Sequence, residues 1–315
     1  MRKQKRFIQR KAFLWVLIFT ITLIWGYAWV MMKASLNFMG PFTYSSFRFG
    51  TGTITMFIIL FIFKIGFPDK KYWKHLFING LLQTAAVFLL VMFAMKFVDA
   101  GKSSVLLYSM PIWSSFLAVK FLGEKLNLPK FVGLLLGLIG LIFIVGWDLF
   151  MISDLNVIIG ELLIISAAIC WAFANIYYRI HLIELPQIQV STIQMFFGTV
   201  IIILFTIQNE WGEPIIFNLE SIYYILFTGI FASALCFTVW FIIISKIDIA
   251  TATISTLLVP VFGLLFSSLL LGEKLTPGIL SGSLLIITGI IIATKKKRSI
   301  KKRLEDTANS ESPKL

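Results

Sequence analysis

The chain has 315 residues, of which 58% are hydrophobic and 14% charged, with a formal net charge of +13; its mean hydropathy is +0.91. Water-soluble domains hold roughly 45–50% apolar and about 25% charged residues, so this composition excludes an ordinary soluble globule and makes lipid the solvent of its surface. The positive charge is spread over the ends and short loops rather than gathered in one patch, which speaks against nucleic-acid binding.

In chain order, the basic head Met1–Lys11 and the apolar run behind it have the outline of a secretory signal. The run Ala12–Met32 is long enough to span a bilayer and no small-residue cleavage site closes it, so it reads as a retained first transmembrane helix. Four more spans follow at Pro41–Phe63, His75–Met95, Ala100–Leu122 and Pro129–Gly146. A second set of five runs over Ile158–Tyr178, Gln187–Gln208, Ser221–Ile244, Ile249–Leu271 and Pro277–Thr294. The fold class is therefore an all-α membrane protein with ten transmembrane helices. The connections leave no room for a soluble domain, and the charged, Ser-rich tail 295–315 reads as disordered.

Lys and Arg in the loops set the orientation. With the N-terminal head inside, ten spans return the basic tail to the same face, and Lys64, Lys70, Lys71, Lys74, Lys120, Lys125, Lys130, Arg179 and Lys246 also fall inside. The outside keeps Lys33, Lys96, Lys102 and Lys274, and two outer loops are purely acidic, with Asp148 and Asp154 in one and Glu210 and Glu213 in the other. The expected location is a cell membrane, multi-pass, with both termini cytoplasmic. Cys170 and Cys236 lie in apolar runs and read as small buried hydrophobes. His75 and His181 flank spans and have no metal-ligand spacing, so no metal or other cofactor is expected.

The strongest signal is an internal repeat. Leu122-Gly123-Glu124-Lys125-Leu126 recurs 149 residues later as Leu271-Gly272-Glu273-Lys274-Leu275, and the same offset carries Gly80 onto Gly229, Phe88 onto Phe237, Asp99 onto Asp248, Pro111 onto Pro260, Gly133 onto Gly282 and Gly140 onto Gly289. Upstream the offset is 146: Trp25 maps to Trp171, Ala28 to Ala174 and Lys33 to Arg179. The repeats, 12–146 and 158–294, each hold five spans. An odd number makes the second half enter the membrane from the opposite side, giving two inverted five-helix repeats. Two similar halves facing opposite ways can exchange conformations, which suits a carrier; a duplicated scaffold or a channel is the alternative.

The chain resembles the EamA branch of the drug/metabolite transporter superfamily. The likeness rests on Trp25-Gly26-Tyr27-Ala28 with Lys33, on Pro41 and Phe47-Arg48-Phe49, and on Pro111 with Gly123-Glu124-Lys125-Leu126 and their repeat partners. It covers Ala12 to Thr294. It implies a transporter whose fifth and tenth helices lie away from the cavity. The second half departs from the first in having no arginine to match Arg48; Gln194 is the nearest polar residue.

Arg48 sits about seven residues into its span, roughly 10 Å along a helix rising 1.5 Å per residue. It reads either as an anion or gating contact or as a fixed structural group. Trp25 and Trp171 hold matched places, and Tyr27, Asn175, Tyr177 and Tyr178 lie near them. Trp25 and Asn175 suit a midplane cavity, whereas Tyr177 and Tyr178 suit the interfacial aromatic belt. Gln83 and Gln194 complete the candidate substrate contacts. Pro111 and Pro260 fall mid-helix, as candidate hinges or simple bends. Gly133-x-x-x-Gly137 and Gly278-x-x-x-Gly282 read as close helix packing, with a homodimer contact as the alternative. Glu124 and Glu273 read as interfacial turn charges rather than proton carriers. The chain lacks a G-x-x-x-x-G-K phosphate loop and a membrane-depth catalytic set. The functional expectation is a secondary transporter moving an amino-acid-like or drug-like small molecule outward by alternating access; a passive channel or a membrane-embedded enzyme is the alternative.

Overall fold

In hydrocarbon each segment must close its own backbone hydrogen bonds, and helices do so. The computed structural model describes residues 2–123, 128–150, 154–246, 256 and 258–294, and every regular element among them is helical. The elements are α1 (Arg2–Ser35), α2 (Pro41–Ile62), α3 (Lys70–Ala94), α4 (Ala100–Leu122) and α5 (Leu128–Phe150), then α6 (Leu155–His181), α7 (Gln187–Asn209), α8 (Leu219–Lys246), α9 (Leu258–Leu271) and α10 (Pro277–Thr294). Seven are long and apolar enough to cross a membrane: α2, α3, α4, α6, α7, α8 and the Val16–Ser35 part of α1. The apolar stretches Phe131–Gly140, Leu258–Leu271 and Pro277–Gly289 are shorter. Helix α1 continues back through the basic head, whose Arg, Lys and Gln are good helix formers. Glu124, Lys125, Asp248 and the tail 295–315 lie outside the described residues.

Several helices depart from regular winding. Pro111 has no N–H to give Leu107, and α4 opens into a turn at Tyr108 and Ser109 before resuming at Met110. Pro260 lies in the first turn of α9. Helices α3 and α8 contain wide π-helical turns, at Leu81–Ala86 and Phe227–Leu235. The 149-residue offset carries the first onto the last six residues of the second. The Leu-Gly pairs that open the two repeated segments end α4 and α9 alike. Gly123 and Gly272 adopt left-handed φ values of 65° and 67°, a helix C-terminal conformation that costs glycine least.

Small residues set the closest crossings. A Cβ on Gly80 of α3 would run into the carbonyl oxygen of Gln194 on α7, and one on Gly229 of α8 would stand 2.7 Å from the carbonyl oxygen of Arg48 on α2. Helices α5 and α10 pack on each other. A Cβ on Gly140 would fall 2.6 Å from the Gly282 carbonyl oxygen, and one on Gly289 2.5 Å from that of Gly133. Much of the glycine seam is thus spent inside the chain.

Two helix N-termini in the first half have no side-chain cap of their own and receive one from the second half. Glu210, at the end of α7, accepts the backbone N–H of Phe42 (3.0 Å) and Thr43 (2.6 Å) and the Thr43 hydroxyl (2.7 Å). Glu273 accepts the N–H of Ala100 (2.7 Å) and Gly101 (2.9 Å). A carboxylate there satisfies orphan donors and suits the positive end of the helix dipole. Lys33 does the converse, donating to the carbonyls of Met95 (2.5 Å) and Val98 (2.9 Å) at the end of α3.

Helical glycines in α2 and α3 allow a direct test of the packing. Nothing lies within 4 Å of a Cβ built on Gly50. Gly80→Ala should therefore cost about 1–3 kcal/mol through overpacking, while Gly50→Ala should be neutral. Thermal unfolding of the two purified variants checks this; equal melting temperatures would refute it.

Candidate functional site

Trp25, Ala28, Trp29 and Met32 recur along α1 at the i, i+3, i+4, i+7 spacing of one helical face. That face forms one wall of a small cavity of about 20 Å³. Arg48 of α2, Phe88 of α3, Leu107 and Tyr108 at the break in α4, Trp171 of α6 and Phe237 of α8 complete the lining. Both halves contribute, and neither α5 nor α10 does.

Arg48 is 2% exposed. Its Nε donates to the Ser233 hydroxyl at 2.9 Å and one terminal nitrogen donates to the Met32 sulfur at 2.9 Å. The guanidinium lies over the rings of Phe88 and Phe49, 4.5 and 4.9 Å from their centroids. Among the described residues no carboxylate comes within 4.0 Å of it. Inserting an Arg at the bilayer centre costs about 2.5–3.5 kcal/mol on translocon scales. A hydroxyl, a thioether and two aromatic faces offset part of that cost without neutralising the charge.

Repeat-equivalent residues meet around this cavity. Trp25 and Trp171 touch edge to face at 6.1 Å, and Phe88 and Phe237 have centroids 6.1 Å apart. Thr53 and Thr199, which match at the 146-residue offset, share a 2.9 Å hydrogen bond between their hydroxyls. Other contacts come in matched pairs. Arg48 reaches Ser233 in the wide turn of α8, and Gln194 accepts from Thr84, in the wide turn of α3, at 2.9 Å. One pair is broken: the Trp25 indole N–H donates to the Ala232 carbonyl at 2.9 Å, but the Trp171 indole N–H, on a side chain 4% exposed, has no acceptor.

Of the residues expected from sequence, Trp25, Arg48 and Trp171 line the cavity. Tyr27 lies on another face of α1, edge-on to Phe227 and Phe266, both at 5.5 Å. Asn175 stands behind the lining, accepting from the Trp240 indole (3.3 Å) and donating to the Met110 sulfur (3.4 Å). Gln83 accepts from Asn79 at 3.3 Å and, with Gln194, belongs to the polar contact between α3 and α7. Pro111 lies beside the helix break that brings Tyr108 to the cavity; Pro260 is not in the lining. His75 and His181, which seemed isolated in sequence, stack at 4.4 Å, and the Nδ1 of His75 is 2.8 Å from the Tyr177 hydroxyl.

Sequence reasoning missed Trp29, Met32, Phe88 and Tyr108 as wall residues; the α1 periodicity could have revealed the first two. It also placed Lys102 in an outer loop. The structure buries Lys102 in the first turn of α4, 6% exposed, in an ion pair with the fully buried Glu161 of α6. A glutamate inside the apolar run 158–178 was the available signal.

A family model of EamA-like transporters matches this chain twice, over residues 12–146 and 158–295. The chain belongs to the EamA-like transporter family. The EamA match spans both sets of helices that build the cavity. Among relatives, the uncharacterized transporter YoaV of Bacillus subtilis (strain 168) is 34% identical over 278 residues, 88% of this chain and 95% of that one. A probable amino-acid metabolite efflux pump of Salmonella typhimurium (strain LT2) is 25% identical, covering 86% of this chain and 91% of its own. A crystal structure covering 91% of this chain and 99% of its own superposes at a TM-score of 0.68 with 18% identity, which shows a shared fold. The family and its apolar helices make this a multi-pass membrane protein of the transporter class.

The ion pair yields a test independent of the cavity. Glu161→Gln leaves the buried Lys102 ammonium short of a carboxylate and should cost about 3–5 kcal/mol. Lys102→Met combined with Glu161→Leu should recover part of that loss. Detergent-phase melting curves compare the three proteins; a Glu161→Gln variant as stable as wild type would rule the pair out as a structural link.

Proposed function

We propose that the protein is a secondary carrier that moves a small amino-acid-like or drug-like solute across the cytoplasmic membrane, outward, by alternating access. The observation that carries this reading is the meeting of Trp25 with Trp171, Phe88 with Phe237 and Thr53 with Thr199 around one buried cavity. Equivalent residues of two repeats touch only near the axis that relates them. Such an axis in the membrane plane belongs to ten spans arranged as two inverted five-helix repeats, with both termini on the cytoplasmic face.

The broken pair supports two alternating states. In an inverted-repeat carrier each half takes in turn the conformation of the other, so an end state is asymmetric in its matched contacts. Trp25 holds the wide turn of α8 while Trp171 leaves the corresponding turn of α3 unheld. In the opposite state the indole of Trp171 would take the backbone carbonyl of Gln83 and Trp25 would let go. Pro111 and Pro260 are the hinges in this scheme. Under the same topology Glu210 and Glu273 fasten the outer ends of the halves together, and they must yield when the cavity opens outward. The efflux direction and the solute class draw on the relatives named as amino-acid metabolite efflux pumps. On this reading the protein is not an enzyme and needs no cofactor; a homodimer is compatible with it.

Metabolite profiling of medium from overexpressing and deletion strains identifies the solute, and counterflow in proteoliposomes tests the mechanism. Saturable exchange is expected, and Arg48→Gln should lower it at least tenfold at equal protein level. Flux that never saturates would replace the carrier with a pore. For topology, cysteines placed at Asn37 and Gly66 in a background lacking Cys170 and Cys236 should label from outside and inside, respectively. Labelling of both from one face would end the inverted-repeat scheme.

A further inference from the structure

We infer that the cavity selects a small monoanion, a carboxylate joined to a flat apolar body, and discriminates against a ligand that carries an ammonium group. The inference rests on the cavity being the substrate site of the carrier reading and, of the solutes that reading allows, narrows them to anions without an ammonium group, against zwitterionic amino acids.

The cavity has a surplus of donors. Arg48 is donor-only, and two of its N–H groups are engaged, one by a hydroxyl and one by a thioether. The indole N–H of Trp171 is a second donor without an acceptor, on a cavity wall and 4% exposed. Tyr108 presents a hydroxyl with no hydrogen bond among the described residues. Against these, the lining contains no Asp, Glu, Asn or Gln among the described residues. The Asn175 carbonyl, set behind the wall, is taken by Trp240. A carboxylate supplies the missing acceptors and charge, and its two oxygens match the fork of a guanidinium.

Aromatic walls can also attract cations through their ring faces. Here the guanidinium already lies over Phe88 and Phe49, and a second cation would meet Arg48 among apolar walls that screen the repulsion weakly. Trp25, Trp29, Trp171 and Phe237 remain to pack on an apolar body. The cavity itself measures about 20 Å³, room for about one water, so in this conformation the walls are closed and an apolar body enters only as they part.

Three probes share one phenylpropyl skeleton and differ in charge: 3-phenylpropanoate, phenylalanine and 3-phenylpropylamine. Calorimetric titration of the full-length protein in nanodiscs should rank their affinities in that order, the anion at least tenfold tighter than the amine. Arg48→Gln should erase the preference for the anion. Trp171→Phe keeps an aromatic ring, removes the N–H and should weaken the anion about threefold more than it weakens the amine. This variant keeps the test alive should Arg48→Gln fail to fold. Amine or amino acid binding as tightly as the anion overturns the inference, and so does no anion binding up to millimolar concentration. Anion binding without counterflow would sink the carrier reading alone; counterflow of a cationic solute without anion binding would sink this inference alone.

Discussion

A polar group inside a bilayer has no water to fall back on, and the interior of this protein is arranged around that constraint. Each irregularity in a helix exposes backbone groups, and the partners come repeatedly from the other half of the chain. Glu210 and Glu273 complete the starts of α2 and α4, and the indole of Trp25 takes a carbonyl in the wide turn of α8. Ser233 in that turn steadies Arg48. The same bonds that satisfy the backbone therefore tie the halves together, and separating the halves means exchanging those bonds for others.

The cavity follows from this economy. Arg48 is tolerated because α2 can approach the backbone of α8 at Gly229 and reach the hydroxyl beside it. Phe88 and Phe237 come to the same place because the wide turns of α3 and α8 stand just before them. What remains is a chamber with aromatic walls and the Arg48 charge, which meets no carboxylate among the described residues.

Much of the architecture is legible in the sequence because lipid imposes long apolar runs and because the chain is duplicated. Length and hydropathy locate the helices, and the recurrence of Leu-Gly-Glu-Lys-Leu places the two left-handed glycines. The site is less legible, for reasons that differ by residue. Trp25, Arg48 and Trp171 stand out as large or charged groups at depth. Tyr27 has similar credentials, but its helical phase turns it toward Phe227 and Phe266, and depth alone does not reveal phase. Phe88 and Tyr108 are common residue types whose importance depends on a wide turn and a proline break. Lys102 was misplaced because a lysine near the start of a span is the ordinary signature of a loop, and only contact with Glu161 identifies it as interior.

The wide turns have a consequence for how the chain tolerates changes of length. A π-helical turn absorbs one residue more than an α-turn, and each residue advances an α-helix by about 100°. Removing a single amino acid from Leu81–Ala86 would relax that stretch to regular winding and leave everything beyond it in phase. Phe88 would stay at the chamber, and the carbonyl end held by Lys33 would keep its place. The surplus residue in each helix thus works as angular slack: a deletion there would be tolerated where the same loss in regular winding would turn the rest of the helix by about 100°.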